Sequence, residues 1–381
     1  MSKKRESALP SHESTEELCN RMATFFTDKI RTIHEGLEKI QNPSFPLDPD
    51  PVFEGPCLNN FDEVTEEEVT KIIKAAAPKS CSLDPVPTKL VKECLDVLAP
   101  LITRIINQSF ADGYVPKSFK LAAVTPLLKK ANLIPEILKN FRPISNLPFL
   151  SKIMEKAATK QLLVHKETNK LREKMQSAYR THHYTETALL RINHDLLTSL
   201  DSKRCVLMVM LDLSAAFDTV NHGVLLDRLA TRYGVRGRAH DWIQSYLSER
   251  RQYVTINGHK SQEHIKDCDV PQGSVLGPNL YEDYTAAPVG DIFRKHDIQF
   301  SIYADDTQAY LEFEPDDIHS AIKRLEMCLE EIRQWMARNW LKLNDSKTEF
   351  IIFGGKKNID KFKDVTIRLG DSDICQSESV K

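Results

Sequence analysis

The run "CVLMVMLDL", residues 205–213, sets the strongest constraint on what this chain can fold into. It is the longest apolar stretch in the chain. Its length suits one strand and falls far short of the roughly 20 residues that cross a bilayer. It therefore reads as a strand buried in a sheet, closed by an acid, Asp212. Strands and helices alternate from there to residue 313. "NHGVLLDRLATRYG" and "AHDWIQSYLSER" read as helices and "QYVTING" as a strand, and a helix is expected to start near Val275. That alternation predicts an α+β fold.

Two Asp pairs lie beyond it, in "SIYADDTQAYLEFEPDDIHSAI". Asp316 and Asp317 follow Pro315 and precede Ile318, Ile322, Leu325, Leu329, Ile332 and Met336. Steps of three and four put these six on one helical face. Acids before such a run are expected to cap the helix and suit its positive end. Asp305 and Asp306 instead lie between "IQFSIYA" and "TQAYLEF", with no Gly or Asn to make an ordinary tight turn. If these strands pair with the 205–213 strand, Asp212 and Asp305 are expected to face each other, with Asp306 beside them. Three such carboxylates would repel strongly unless they surround cations. Two Mg²⁺ ions would suit their hard oxygens and phosphoryl-transfer chemistry.

Upstream, residues 14–41 are expected to be helical, with Leu18, Met22, Phe25, Phe26 and Ile30 along one side. Residues 42–56 read as a Pro- and Asp-rich linker. Thr65 and Glu68 form a capping-box pattern before a helix over 65–76. A helix over 87–110 is expected to bend at Pro100, and "KLAAVTPLLKK" reads as a strand. "NFRPISNLPFLSKIMEKAATKQLL" reads as a proline-punctuated turn leading into a helix. The helix at 318–336 spans too few heptads for a coiled coil and is expected to pack on a sheet.

Charge is uneven. Residues 1–110 carry 13 Lys or Arg against 18 Asp or Glu, and residues 117–180 carry 14 against 4. That basic segment suits a polyanion or, equally, a solvated lysine-rich helix face. The eight cysteines are scattered, without C-x-x-C or Cys/His clusters, which argues against a zinc site and a disulfide framework. "VPQGSVLGP", residues 270–278, has the glycines and prolines to bring backbone close to a flat ligand, or to make an ordinary loop.

"LDLSAAFDTVNH", "PQGSVLGP" and "YADD", in that order, resemble motifs A, B and C of a reverse transcriptase. The likeness is to non-LTR (LINE-type) retrotransposons of the jockey-like group. It extends to "CSLDPVPTKLVKE", "TPLLKK", "NFRPISNLPFLSKIMEK", "QSAYRTHHYTETALLRI" and "WLKLNDSKTEFIIFG", and so covers roughly residues 60–356. The resemblance implies a right-hand polymerase. A helical extension and linker would fill 1–110, and a reverse transcriptase domain 111–356, with fingers 111–204 and palm 205–356. Residues 357–381 would begin a truncated thumb.

It also implies roles. Asp212, Asp305 and Asp306 would bind two Mg²⁺ ions, with Mn²⁺ a possible substitute. Phe217 would be an aromatic gate against a ribose 2′-hydroxyl. Gln272 and Gly273 would lie against the incoming base pair. Arg142 with Lys129 or Lys130 would hold the triphosphate, and Lys347 would protonate leaving pyrophosphate. Partners would be an RNA template, a DNA primer and dNTPs, with no membrane. "PQGSVLGP" departs from the "PQGGxxSP" of group II intron maturases, and "YADD" from the Gly-Asp-Asp of viral RNA polymerases.

Three departures from the family pattern stand out. Asp269 replaces a usual Gly before "VPQG". Asn279, Glu282 and Asp283 replace usual apolar residues, where a buried acid needs a partner. The chain is also short beside LINE-type polyproteins. Two readings follow: an RNA-directed DNA polymerase, or a remnant that binds nucleic acid without turnover.

Overall fold

In the computed structural model, the described residues are 9–38, 48–79 and 81–377. The expected linker at 42–56 falls partly outside them. The chain folds as two units. The first comprises residues up to Ile33, Pro51–Lys170 and Asn221–Leu280; the second takes His34–Asp50, Leu171–Val220 and the remainder from Tyr281. The apolar side of helix Thr15–Glu38 belongs to the core of the first unit.

In the first unit, strand Leu121–Leu128 pairs antiparallel with Phe141–Asn146 and parallel with Arg250–Ile256. Strands His264–Lys266 and His259–Lys260 pair with Arg250–Ile256. Leu18, Met22 and Phe26 of the first helix pack on Val124, Phe141, Val254 and Ile256 of this sheet. "NFRPISN" is thus a strand rather than the turn expected. Its Pro143 stands opposite Pro126 in the ladder. Prolines survive there because Phe141–Asn146 is an edge strand, and the pairing of Leu121–Leu128 with Arg250–Ile256 ends at Val124.

Helix Glu66–Ala75 starts as its sequence predicts. Thr65 Oγ1 accepts the Glu68 N–H at 3.2 Å, and Glu68 Oε2 accepts the Thr65 N–H at 3.1 Å. The helix expected over 87–110 is divided at Cys94 into Thr88–Glu93 and Leu95–Asp112, and Pro100 lies inside the second. Phe61, Phe110 and Trp242 pack ring on ring at 5.0–5.6 Å, and the Trp242 indole donates to Ser109 Oγ at 2.9 Å.

The second unit is built on a four-stranded antiparallel sheet. Its order is Glu349–Phe353, Cys205–Leu211, Asp306–Phe313, Gln299–Tyr303. The apolar run is therefore a central strand. Helix Thr185–Asp201 lays Ile192 and Leu196 on Val206, Met208 and Tyr310. Helix Ile318–Arg338 packs on the Asp306–Phe313 strand and on a hairpin of strands Thr366–Leu369 and Ser372–Cys375, and not in a coiled coil. Asp317 stands at the cap position of that helix but makes no side-chain capping bond; Pro315–Asp317 form a 3₁₀ turn. The acids there act through charge near the helix start, not as the hydrogen-bonding cap expected.

Candidate active site

The central strand pair brings the candidate carboxylates to one sheet edge. Leu211 stands opposite Thr307, the last pair of that ladder, so Asp212 and Asp306 each lie one residue beyond it. Asp305 belongs to the turn itself. Tyr303 pairs with Asp306 across it, leaving only Ala304 and Asp305 in the loop. Ala304 makes this turn possible by taking φ +59°, a left-handed angle that costs a side-chain-bearing residue about 1 kcal/mol. A two-residue hairpin therefore forms without the Gly or Asn that such turns favour.

Asp212 is held from a neighbouring turn. Its carbonyl accepts the Asn344 N–H at 2.9 Å, and its Oδ2 accepts from Asn344 Nδ2 at 2.9 Å. Lys347 Nζ lies 3.1 Å from the same Oδ2, with 62% of the lysine side chain exposed. A pair so solvated contributes at most about 1 kcal/mol. It does put Lys347, singled out in "LNDSKTEF", beside the first carboxylate.

Asp305 and Asp306 are exposed. Burial pushes the Tyr281 phenol well above its ordinary value, and the charge of nearby Asp305 adds to the rise. Tyr179 is raised by the same two causes, burial first. Phe217 is half-buried and stacks on Tyr281, with ring centroids 4.5 Å apart and planes 18° apart.

Exposed carboxylate oxygens at one sheet edge are the donors a hard divalent cation takes. In kind they fit Mg²⁺. Among the described residues, however, no three His, Cys, Asp or Glu side chains are gathered closely enough to hold a metal ion.

The first unit carries the remaining candidates. Lys129, Lys130 and Arg142 are exposed. Leu127 faces Arg142, and the ladder continues with the Lys129 N–H donating to Asn140 O at 2.9 Å. Two residues beyond Leu127, Lys129 continues the ladder on the face of Arg142, and Lys130 lies past the strand's end. Lys129 Nζ donates to Lys139 O at 2.7 Å. Of the basic segment at 117–180, Lys120, Lys166 and Arg172 are buried, so part of its charge is structural.

The "VPQGSVLGP" loop rests on the Arg142 strand. Gln272 O accepts the Ser145 N–H at 2.9 Å. Gly273 has φ +119°, and a Cβ there would come within 2.5 Å of Ser145 O, so only glycine fits. Glu155, which the sequence did not single out, anchors the loop from below. Its Oε2 accepts the N–H groups of Val275 at 2.7 Å and Leu276 at 3.0 Å. Complete burial pushes its carboxyl upward despite those bonds.

Two of the departures have local answers. Glu282 is buried but paired with Arg172, which donates through Nε at 3.0 Å and Nη2 at 2.8 Å. Asp269 has φ +112°, an angle suited to the glycine it replaces. Its carbonyl bonds to His222 Nε2 at 2.7 Å, and Lys266 Nζ lies 3.5 Å from its carboxylate. Asn279 and Asp283 are buried at the start of helix Gly277–Lys295.

Comparison with known proteins identifies the family. The chain is 29% identical over 360 residues to the RNA-directed DNA polymerase from mobile element jockey of Drosophila melanogaster, covering 91% of this chain and 37% of that protein. It is 28% identical over 360 residues to the probable RNA-directed DNA polymerase from transposon BS of the same organism, covering 89% of this chain and 37% of that protein. The X-element counterpart is 30% identical over 258 residues, covering 67% and 28%. The chain thus spans about a third of the length of these relatives. Residues 128–380 match the reverse transcriptase (RNA-dependent DNA polymerase) family. That match extends over most of the chain, and the chain belongs to this family.

Proposed function

We propose that this chain carries the polymerising core of a non-LTR retrotransposon reverse transcriptase, which adds dNTPs to a DNA primer on an RNA template. One observation supports the reading: the Cys205–Leu211 and Asp306–Phe313 strands pair antiparallel down to Leu211 opposite Thr307, the chain neighbours of Asp212 and Asp306, and Tyr303 pairs with Asp306 across the turn that holds Asp305. Asp212, Asp305 and Asp306 would hold two Mg²⁺ ions, or Mn²⁺ in their place, and bound metal there would neutralise phosphate charge.

The chain's own residues do the positioning. Arg142 is suited to grip phosphate oxygens bidentately, and Lys129, on the same face, adds a point charge. Lys130, past the end of that strand, is the alternative. Gln272 and Gly273 would lie against the base pair. Phe217, held by its stack on Tyr281, would exclude a 2′-hydroxyl. The primer 3′-hydroxyl would give its proton to solvent water as it attacks the α-phosphate, the bond to pyrophosphate would break, and Lys347 would give the leaving group a proton and take one back from solvent.

Primer extension tests the reading. With an oligo(dT)-primed RNA template and Mg²⁺, the chain is expected to extend with dTTP and to reject UTP. Phe217→Ala is expected to admit UTP. Binding of the primed template without extension by dTTP would overturn the reading.

A further inference from the structure

Gln176 is fully buried, yet it lies in neither a helix nor a strand. The backbone around it extends the edge of the second unit's sheet. The Ser177 N–H donates to Ile302 O at 2.9 Å, and the Ile302 N–H donates to Met175 O at 3.0 Å. From there the side chain reaches the hairpin turn. Its Oε1 accepts the N–H groups of Ala178 at 2.9 Å and Ala304 at 3.2 Å, and its Nε2 donates to Ala304 O at 3.4 Å. One amide thus binds both backbone polar groups of Ala304, the residue at φ +59°. The segment is itself locked: Arg180 Nη1 donates to the carbonyls of Glu173 at 2.8 Å and Gln176 at 2.9 Å.

An alanine keeps a left-handed angle only when its surroundings over-determine it. Beside the Tyr303–Asp306 pair that closes the turn, the Gln176 amide holds both backbone polar groups of Ala304. We propose that Gln176 is a positioning residue, whose amide holds the Ala304–Asp305 turn in its strained form and so fixes where Asp305 presents its carboxylate. The importance of that carboxylate rests on the polymerase reading; the brace does not. Misplacing a reacting group by about 1 Å can cost about 100-fold in rate.

The test uses the full chain and two readouts. The first is hydrogen exchange across residues 303–307. Gln176→Ala is expected to speed exchange in the turn, while the Cys205–Leu211 strand keeps its protection. The second is primer extension, in which Gln176→Ala is expected to lower kcat about 100-fold and leave KM for dTTP within a few-fold. Adding Ala304→Gly, which removes the strain, is expected to restore at least part of that loss. A purely structural role would lower protection throughout the sheet, and glycine would restore nothing. Should Gln176→Ala fail to fold, Gln176→Glu keeps the acceptor, loses the donor and carries the same comparison. Unchanged exchange in the turn, or faster exchange with unchanged kcat, would overturn the proposal. An inactive wild type would count against the polymerase reading alone, and exchange would still decide the brace.

Discussion

Asp269 sits at φ +112° because the loop needs an angle that glycine adopts freely. Replacing it with glycine is expected to stabilise the first unit by about 1 kcal/mol. A shift of the thermal midpoint upward by a few degrees would check this; an unchanged or lower midpoint would mean that the Lys266 contact outweighs the strain. Glu282 presents the opposite case. Its bidentate pair with Arg172 is buried on both sides, so Arg172→Met leaves an uncompensated carboxylate and should cost about 3–5 kcal/mol in urea unfolding. Arg172→Met with Glu282→Leu should recover most of that loss. The sequence posed the question of a partner for Glu282 but could not name Arg172, 110 residues away, because nothing local links the two.

At the scale of elements, patterning was readable wherever a single face or a single cap decided the outcome. The 205–213 run, the Thr65 cap and the apolar face of helix Ile318–Arg338 all depend on near neighbours in the chain. The strand at Phe141–Asn146 was hidden because its prolines read as turn signals, and only edge position and register make them harmless. The register of the two central strands was also hidden, since a shift of one residue decides which side chains share a face. Gln176, Glu155 and Tyr281 act through contacts that no spacing rule reveals. The join between helix His222–Thr231 and the loop before "VPQG" has a consequence with pH. Burial holds His222 below its ordinary value of 6.5. Below about pH 6.5 the unfolded chain then binds the proton more readily than the folded one, so stability falls as pH drops through that range. His222→Gln keeps a donor for the Asp269 carbonyl and should remove that part of the slope in pH-dependent unfolding; an unaltered slope would place its origin elsewhere.

For the whole molecule, the formal net charge of −2 says little, whereas its distribution and the strand pairing say much. The family match and the topology of the second unit support one account, in which the first Asp pair does chemistry and the second serves a helix start. The most direct measurement compares two single variants in primer extension at saturating Mg²⁺ and dTTP: Asp305→Asn and Asp316→Asn. The account expects extension to be abolished in the first and to stay near the wild-type rate in the second. Extension that survives Asp305→Asn, or that is lost in Asp316→Asn with the fold intact, would contradict it.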